Sequence, residues 1–337
     1  MSSTAEGSVK TAVPRPELPR YSWRDQSPTS RLQYITDHQS ADFALSQLAP
    51  GPLGFDLEWR PNYWKGASEN PVALVQLSTH DTILLLHISA MSEFPSKLRE
   101  MLWDPLRIKT GVSIQRDCQK LYRDYGVSTR NCVELALLAR SVDNARWKGK
   151  YTNPLGLSRL LETYEGFSLA KGKVQRSNWE HRLSSTQQDY AANDARAGYV
   201  IYTRLIDLAR DMPDTVLPNY YSFSVVNGFL LDHLGISQWI PHNPYYDPGP
   251  PPPPREPKEQ EEQKERKRTP RGQTSSAVSH APVSSRSLQD GLSMRIDGQG
   301  PPPVPVTNAL NPQTGHFHRK PRNRTKRPQS HGYDPAQ

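Results

Sequence analysis

Along Gly54-Phe55-Asp56-Leu57-Glu58-Trp59, apolar and polar residues alternate with the period of a β-strand. Phe55, Leu57 and Trp59 share one face, and Asp56 and Glu58 share the other, about 7 Å apart along the strand. The next strands, 72–78 and 82–88, are almost wholly apolar, as expected of strands buried on both faces, and a tight turn at His80-Asp81 joins them. Arg31 to Ile35 reads as a short strand. Ala41, Ala44, Leu45 and Leu48 fall at helical spacing after Ser40, a suitable cap. Pro95 opens a helix through Trp103. A strand at 108–112 runs into a helix over 115–125 that Gly126 ends. A short strand at 133–135 leads into a helix over 136–142, residues 155–164 are amphipathic, and a long helix starts at Ser184 or Ser185 and continues to about Ala209. Strands first and alternating helices later predict an α/β fold, a mixed central sheet flanked by helices.

Composition changes this picture mainly at the ends. The 337-residue chain has 35% hydrophobic residues and 32 prolines, and its net charge is +8. Residues 251–337 hold 15 Lys+Arg against 8 Asp+Glu, so the first 250 residues are almost neutral. The expected organisation is a flexible arm over 1–28, a folded α/β domain over 29–211, a packed extension over 212–245 and a disordered, proline-rich basic tail over 246–337. No apolar run suffices to cross a bilayer, no secretory core opens the chain, and prolines interrupt any presequence helix. Cys118 and Cys132 lack metal-ligand spacing and are expected as reduced, semi-buried thiols.

Two carboxylates on one face of a strand repel each other unless a cation lies between them, and hard oxygens suit magnesium or manganese. A solvated acidic face is the plain alternative for such a pair. Asp117 falls in the first turn of a helix after a strand, where an aspartate also serves as a dipole partner. Tyr190 and Asp194 are four apart on the last helix and project from one face, with small Ala191 and Ala192 allowing close approach to a neighbour.

In this order, the segments Phe55-Asp56-Leu57-Glu58-Trp59, Ala73-Leu74-Val75-Gln76-Leu77, Gly111 to Asp117, Ser177-Asn178-Trp179 and Tyr190-Ala191-Ala192-Asn193-Asp194-Ala195 resemble the DEDD superfamily of 3′–5′ exonucleases. Within it, they resemble the tyrosine-bearing subgroup and especially Werner-type exonuclease domains. The resemblance covers about residues 30–208 and implies the ribonuclease H-like fold. It also implies two divalent cations, Mg²⁺ or Mn²⁺: Asp56, Glu58 and Asp194 hold one, Asp56 the second, and Asp117 acts through water. Tyr190 would orient or deprotonate the attacking water, and Glu58 would contact the terminal 3′-hydroxyl. Two cations flanking a phosphodiester suit an in-line displacement.

Further nucleic-acid contacts are expected at the Leu57 backbone and at Trp59, which either stacks on a base or packs in the core. Trp64, Lys65 and Arg116 lie near the expected cleft, and Lys171, Lys173 and Arg176 occupy a segment where the family carries positive residues. Each of these charges has an ordinary solvated role as its alternative. The resemblance implies hydrolysis from DNA 3′ ends, with RNA a second substrate. An inactive nucleic-acid-binding module and an RNA-processing exoribonuclease are the alternatives. The chain has no phosphate loop for unwinding, so helicase or repair proteins are expected as partners. The basic runs 264–271 and 318–327 read either as nuclear-import signals for an importin or as nucleic-acid tethers, and the proline runs as spacers or ligands for SH3- or WW-type modules. Nuclear residence is expected, with the cytoplasm as the alternative.

Overall fold

The alternating acidic strand lies in the middle of an eight-stranded mixed sheet. The structure, a computed structural model, describes residues 17–170 and 172–251. The strands are β1 (Arg31–Ile35), β2 (Leu53–Glu58), β3 (Leu74–Ser78), β4 (Thr82–Leu86), β5 (Lys109–Gly111), β6 (Thr129–Glu134), β7 (Ser222–Val226) and β8 (Phe229–Asp232). Their order is β1-β4-β3-β2-β5-β6-β7-β8. β2, β3 and β4 form an antiparallel meander, β1 runs parallel to β4, and β5 is parallel to both β2 and β6.

The helices are α1 (Trp23–Gln26), α2 (His38–Ser46), α3 (Ser96–Trp103), α4 (Ile114–Tyr125), α5 (Leu135–Val142), α6 (Leu157–Tyr164) and α7 (Ser185–Arg210). On one face of the meander, Phe55, Leu57, Val75, Leu77, Leu84 and Leu86 pack in a core with residues of α2, α3 and α4. Burying each such side chain contributes about 1.5–3 kcal/mol. The opposite face carries Leu74, Ile83 and Leu85, covered by Ala191 and Ala192 of α7 and by Trp179 and Leu183. Gly126, with φ of 63°, ends α4 in the left-handed conformation expected of a glycine cap. Ser184 and Gln187 form a reciprocal capping box that starts α7.

Four local expectations need correction. Asp37, not Ser40, caps α2: its carboxylate accepts from the Ser40 amide. β6 starts four residues before the expected 133, because polar Thr129 pairs with Val225 of β7 across a register irregularity at Arg130 and Asn131 that the local sequence does not announce. The stretch after Pro218 is a β-hairpin that extends the sheet. The segment before residue 28 is packed where it is described. Tyr21 and Trp23 are buried, and the Trp23 amide donates to Asn193 Oδ1 at 2.7 Å.

At the other end, contacts continue past residue 245. The Tyr246 hydroxyl donates to the Trp147 and Gly149 carbonyls, and the Asp247 amide donates to Asn144. The proline runs, both basic runs, residues 1–16 and Lys171 lie outside the described residues. Among the described residues no helix is long and apolar enough to cross a membrane. Cys118 and Cys132 are free and fully buried, more so than expected, with their sulfurs 3.5 Å apart.

Candidate active site

A cleft of about 730 Å³ opens above β2, lined by Asp56, Glu58, Asp117, Tyr190 and Asp194 together with Trp59, Pro61, Gln175 and Arg176. Three separate elements supply the carboxylates: β2 gives Asp56 and Glu58, the first turn of α4 gives Asp117, and α7 gives Asp194. Oxygens of Asp56, Glu58 and Asp194 lie within 4.8 Å of one another.

The convergence depends on how closely α7 can sit on β2. A Cβ at Gly54 would lie 2.0 Å from the Ala195 carbonyl oxygen and 2.8 Å from the Tyr199 amide nitrogen, so only glycine fits there. Asp194 is the residue before Ala195, and the backbone contact therefore sets its distance from β2. Gly111 has the same role for β5: a Cβ there would meet the Phe55 carbonyl oxygen at 2.6 Å. Among the small residues of the helix, Ala191 and Ala192 cover the Leu74–Leu85 face as expected. The glycines on the sheet side were not singled out from sequence, because their crowding comes from chain far away.

No ion pair joins Asp56, Glu58, Asp117 or Asp194 to a basic side chain among the described residues. Burial pushes the Asp56 carboxyl up to about 7, although the Leu57 amide donates to it and pulls the other way. Burial, then the charges of Asp56, Asp194 and Asp117, raise Glu58. Asp194 is raised by burial and by Asp56, and Asp117 by burial, Asp56 and Glu134, against weaker opposition from Arg116 and Lys120. Burial and the nearby Asp194 carboxylate likewise raise the Tyr190 hydroxyl. A cluster of crowded, hard anionic oxygens without a countercharge fits divalent cations of the magnesium or manganese type. Asp56, Glu58 and Asp194 would hold such an ion, with Asp117 lining the same cleft.

The remaining sequence candidates separate. Leu57 has its side chain in the core, and its amide already serves the Asp56 carboxylate. Trp59 is half-buried against the core and borders the cleft, with the Lys120 ammonium 4.8 Å from its ring centroid. Arg176 lines the cleft, while Lys173 is exposed beside it. Trp64 is 83% exposed, and Trp64, Lys65 and Arg116 stand outside the cleft lining. Tyr63 was missed: it is 75% exposed, and its hydroxyl donates to the Arg176 carbonyl at 3.0 Å, joining the loop after β2 to the segment before α7. Lys120 was missed too. It is buried behind Asp117, donates to the Asn70 carbonyl and pairs with Asp124 at 3.1 Å.

A family model described as 3′-5′ exonuclease matches residues 32–208. Exonuclease 3′-5′ domain-containing protein 2 of Drosophila melanogaster is 39% identical over 156 residues, 45% of this chain and 25% of that protein. The bifunctional 3′-5′ exonuclease/ATP-dependent helicase WRN of Mus musculus is 38% identical over 172 residues, 50% of this chain and 12% of that one. The chain thus spans a quarter or less of the length of these two relatives. Among solved structures, Trypanosoma brucei RNase D in complex with RNA U12 superposes with a TM-score of 0.48 at 19% identity, covering 58% of this chain and 70% of the other. The match over residues 32–208 embraces the sheet from β1 through β6 and nearly all of α7, and the chain belongs to the DEDD-type 3′–5′ exonuclease domain family of the ribonuclease H-like superfamily.

Proposed function

We propose that the chain is a metal-dependent 3′–5′ exonuclease that hydrolyses terminal phosphodiester bonds, releases nucleoside 5′-monophosphates and favours DNA over RNA. The observation that carries this reading is the convergence of Asp56, Glu58 and Asp194 oxygens within 4.8 Å in an open cleft, with no basic side chain paired to them among the described residues. Bound in pairs, divalent cations place positive charge on both sides of an in-line displacement at phosphorus.

The chain's own groups set the rest. Asp56 and Glu58 fix the floor because they are successive same-face residues of a paired strand. Asp194 reaches that floor because Gly54 lets α7 settle on β2. The Tyr190 hydroxyl, beside Asp194, orients the attacking water. Glu58 also reaches the terminal 3′-hydroxyl, which selects an end over an internal bond. Arg176 at the cleft wall meets a phosphate, while Lys173 and the exposed pair Trp64 and Lys65 contact the strand farther out. Helicase or repair partners extend the same reading, supported by the relative that is itself an exonuclease/helicase, and nuclear residence is proposed with them.

The test is degradation of 5′-labelled DNA and RNA strands of one sequence with Mg²⁺, Mn²⁺ or a chelator. A ladder shortening from the 3′ end, faster on DNA and absent with chelator, is expected. Faster RNA shortening would overturn the substrate preference, and salt-sensitive retention without cleavage would make the protein a binding module.

A further inference from the structure

Gln76 on β3 stands directly across from Asp56 on β2 in the antiparallel register. Directly paired residues leave the same face of a sheet, with their Cβ atoms about 5 Å apart. On its other side Gln76 pairs with Leu85, and the face around it carries Leu74, Ile83, Ala191 and Ala192. Its exposure is 0%, and neither Nε2 nor Oε1 has a hydrogen-bond partner. A buried amide without partners costs folding free energy that an apolar side chain of the same length would not. The charged group beside it is the Asp56 carboxylate, whose burial is eased by the neighbouring Leu57 amide and by no side-chain donor among the described residues.

We propose that Gln76 is a positioning residue for Asp56: with the site loaded, its side-chain amide donates to one Asp56 oxygen and so fixes the other toward the cation. The inference rests on the reading of Asp56 as a metal ligand. A carboxylate that gives one oxygen to a cation leaves its second oxygen in need of a donor, and such outer donors set ligand orientation and affinity. The amide fits that need because it is neutral: it adds no countercharge that would compete with the cation, as a lysine at this position would. Gln76 lies outside the cleft lining, so its effect passes through Asp56.

The experiment compares wild type with Gln76→Met, a straight apolar side chain of similar length, using calorimetric titration with Mn²⁺ and thermal melting without metal. The variant is expected to bind Mn²⁺ about tenfold or more weakly, while its metal-free form melts at or above the wild-type temperature. Wild-type affinity in Gln76→Met, or a lower metal-free melting temperature with affinity retained, would reduce Gln76 to packing and overturn the proposal. Absence of Mn²⁺ binding by wild type would overturn the parent reading as well, which separates the two failures. A second measurement needs no variant. In wild type carrying ¹⁵N-labelled glutamine, Mg²⁺ should shift one buried side-chain NH₂ resonance and slow its exchange; no change in any buried glutamine resonance at saturation contradicts the assignment.

Discussion

Buried charge among the described residues takes two opposite forms. Lys109 and Arg196 are buried cations whose donors the fold satisfies. Lys109 Nζ donates to the Asp104 and Arg107 carbonyls at 2.9 and 2.6 Å, while Arg196 holds Ser27 Oγ through Nε and Nη2 and the Thr79 carbonyl through Nη1. The carboxylates of Asp56, Glu58, Asp117 and Asp194 are crowded together, and no protein cation pairs with them among the described residues. The first arrangement is finished without any ligand and ties elements together. The second is incomplete as protein alone, and that incompleteness separates a site from a structural network.

The sharpest way to break this contrast is to truncate one member of each kind. Asp56→Ala or Asp194→Ala should lower cleavage by roughly 10³-fold or more while the far-UV spectrum stays native; robust activity in either variant would remove these residues from the chemistry. Tyr190→Phe is expected to slow turnover about 10²-fold with little change in binding of a 3′ end, read from single-turnover rates and a retention assay. Arg196→Met should act in the reverse sense. Losing the ties to Ser27 and Thr79 should cost about 2–4 kcal/mol in urea unfolding, with cleavage retained at temperatures where the fold persists.

A milder test uses pH. Asp56 is raised to about 7, and buried Glu134 likewise to about 7. A carboxyl raised in the folded state holds its proton where the unfolded chain has lost it. The contribution of these two groups to metal-free stability is therefore greatest below the ordinary carboxylate range and is lost as pH rises from about 4 to 7. Saturating Mg²⁺ should flatten that fall, most visibly above pH 7, in melting curves. The smallest expected effect comes from the C-terminal boundary. Ending the chain after residue 251 should leave stability and short-strand cleavage unchanged, whereas ending it after 245 should lower the melting temperature through loss of the Tyr246 and Asp247 contacts.

Much of the site was legible because its signals are local. The two-residue period of 54–59 put Asp56 and Glu58 on one face, and the four-residue spacing of Tyr190 and Asp194 put both on one side of a helix. What escaped reading depends on partners distant in the chain. Thr129 joins the sheet through Val225 of β7, some ninety residues later, with Arg130 and Asn131 in a register irregularity between paired positions. Trp23 looked like part of a loose arm because Asn193 and Asp189, which hold it, lie on α7. Gln76 reads as a polar interruption in an apolar strand until the register sets it opposite Asp56. Gly54 shows no turn signal and no positive φ, so its necessity is visible only once α7 is in place.

The contact at Gly54 has a consequence for which changes the enzyme can tolerate. Side chains absorb error by switching rotamer, but a carbonyl pressed against an α-carbon has no such freedom. The gap between Asp194 and the β2 carboxylates is therefore held like a machined clearance, by two rigid backbones in direct contact. A single methyl group at Gly54 would act as a shim, lifting the helix and widening the gap with every reacting group still present. Loss of activity can thus originate at a residue that has no functional group at all, and a survey of damaging variants confined to acidic residues and tyrosine would overlook it.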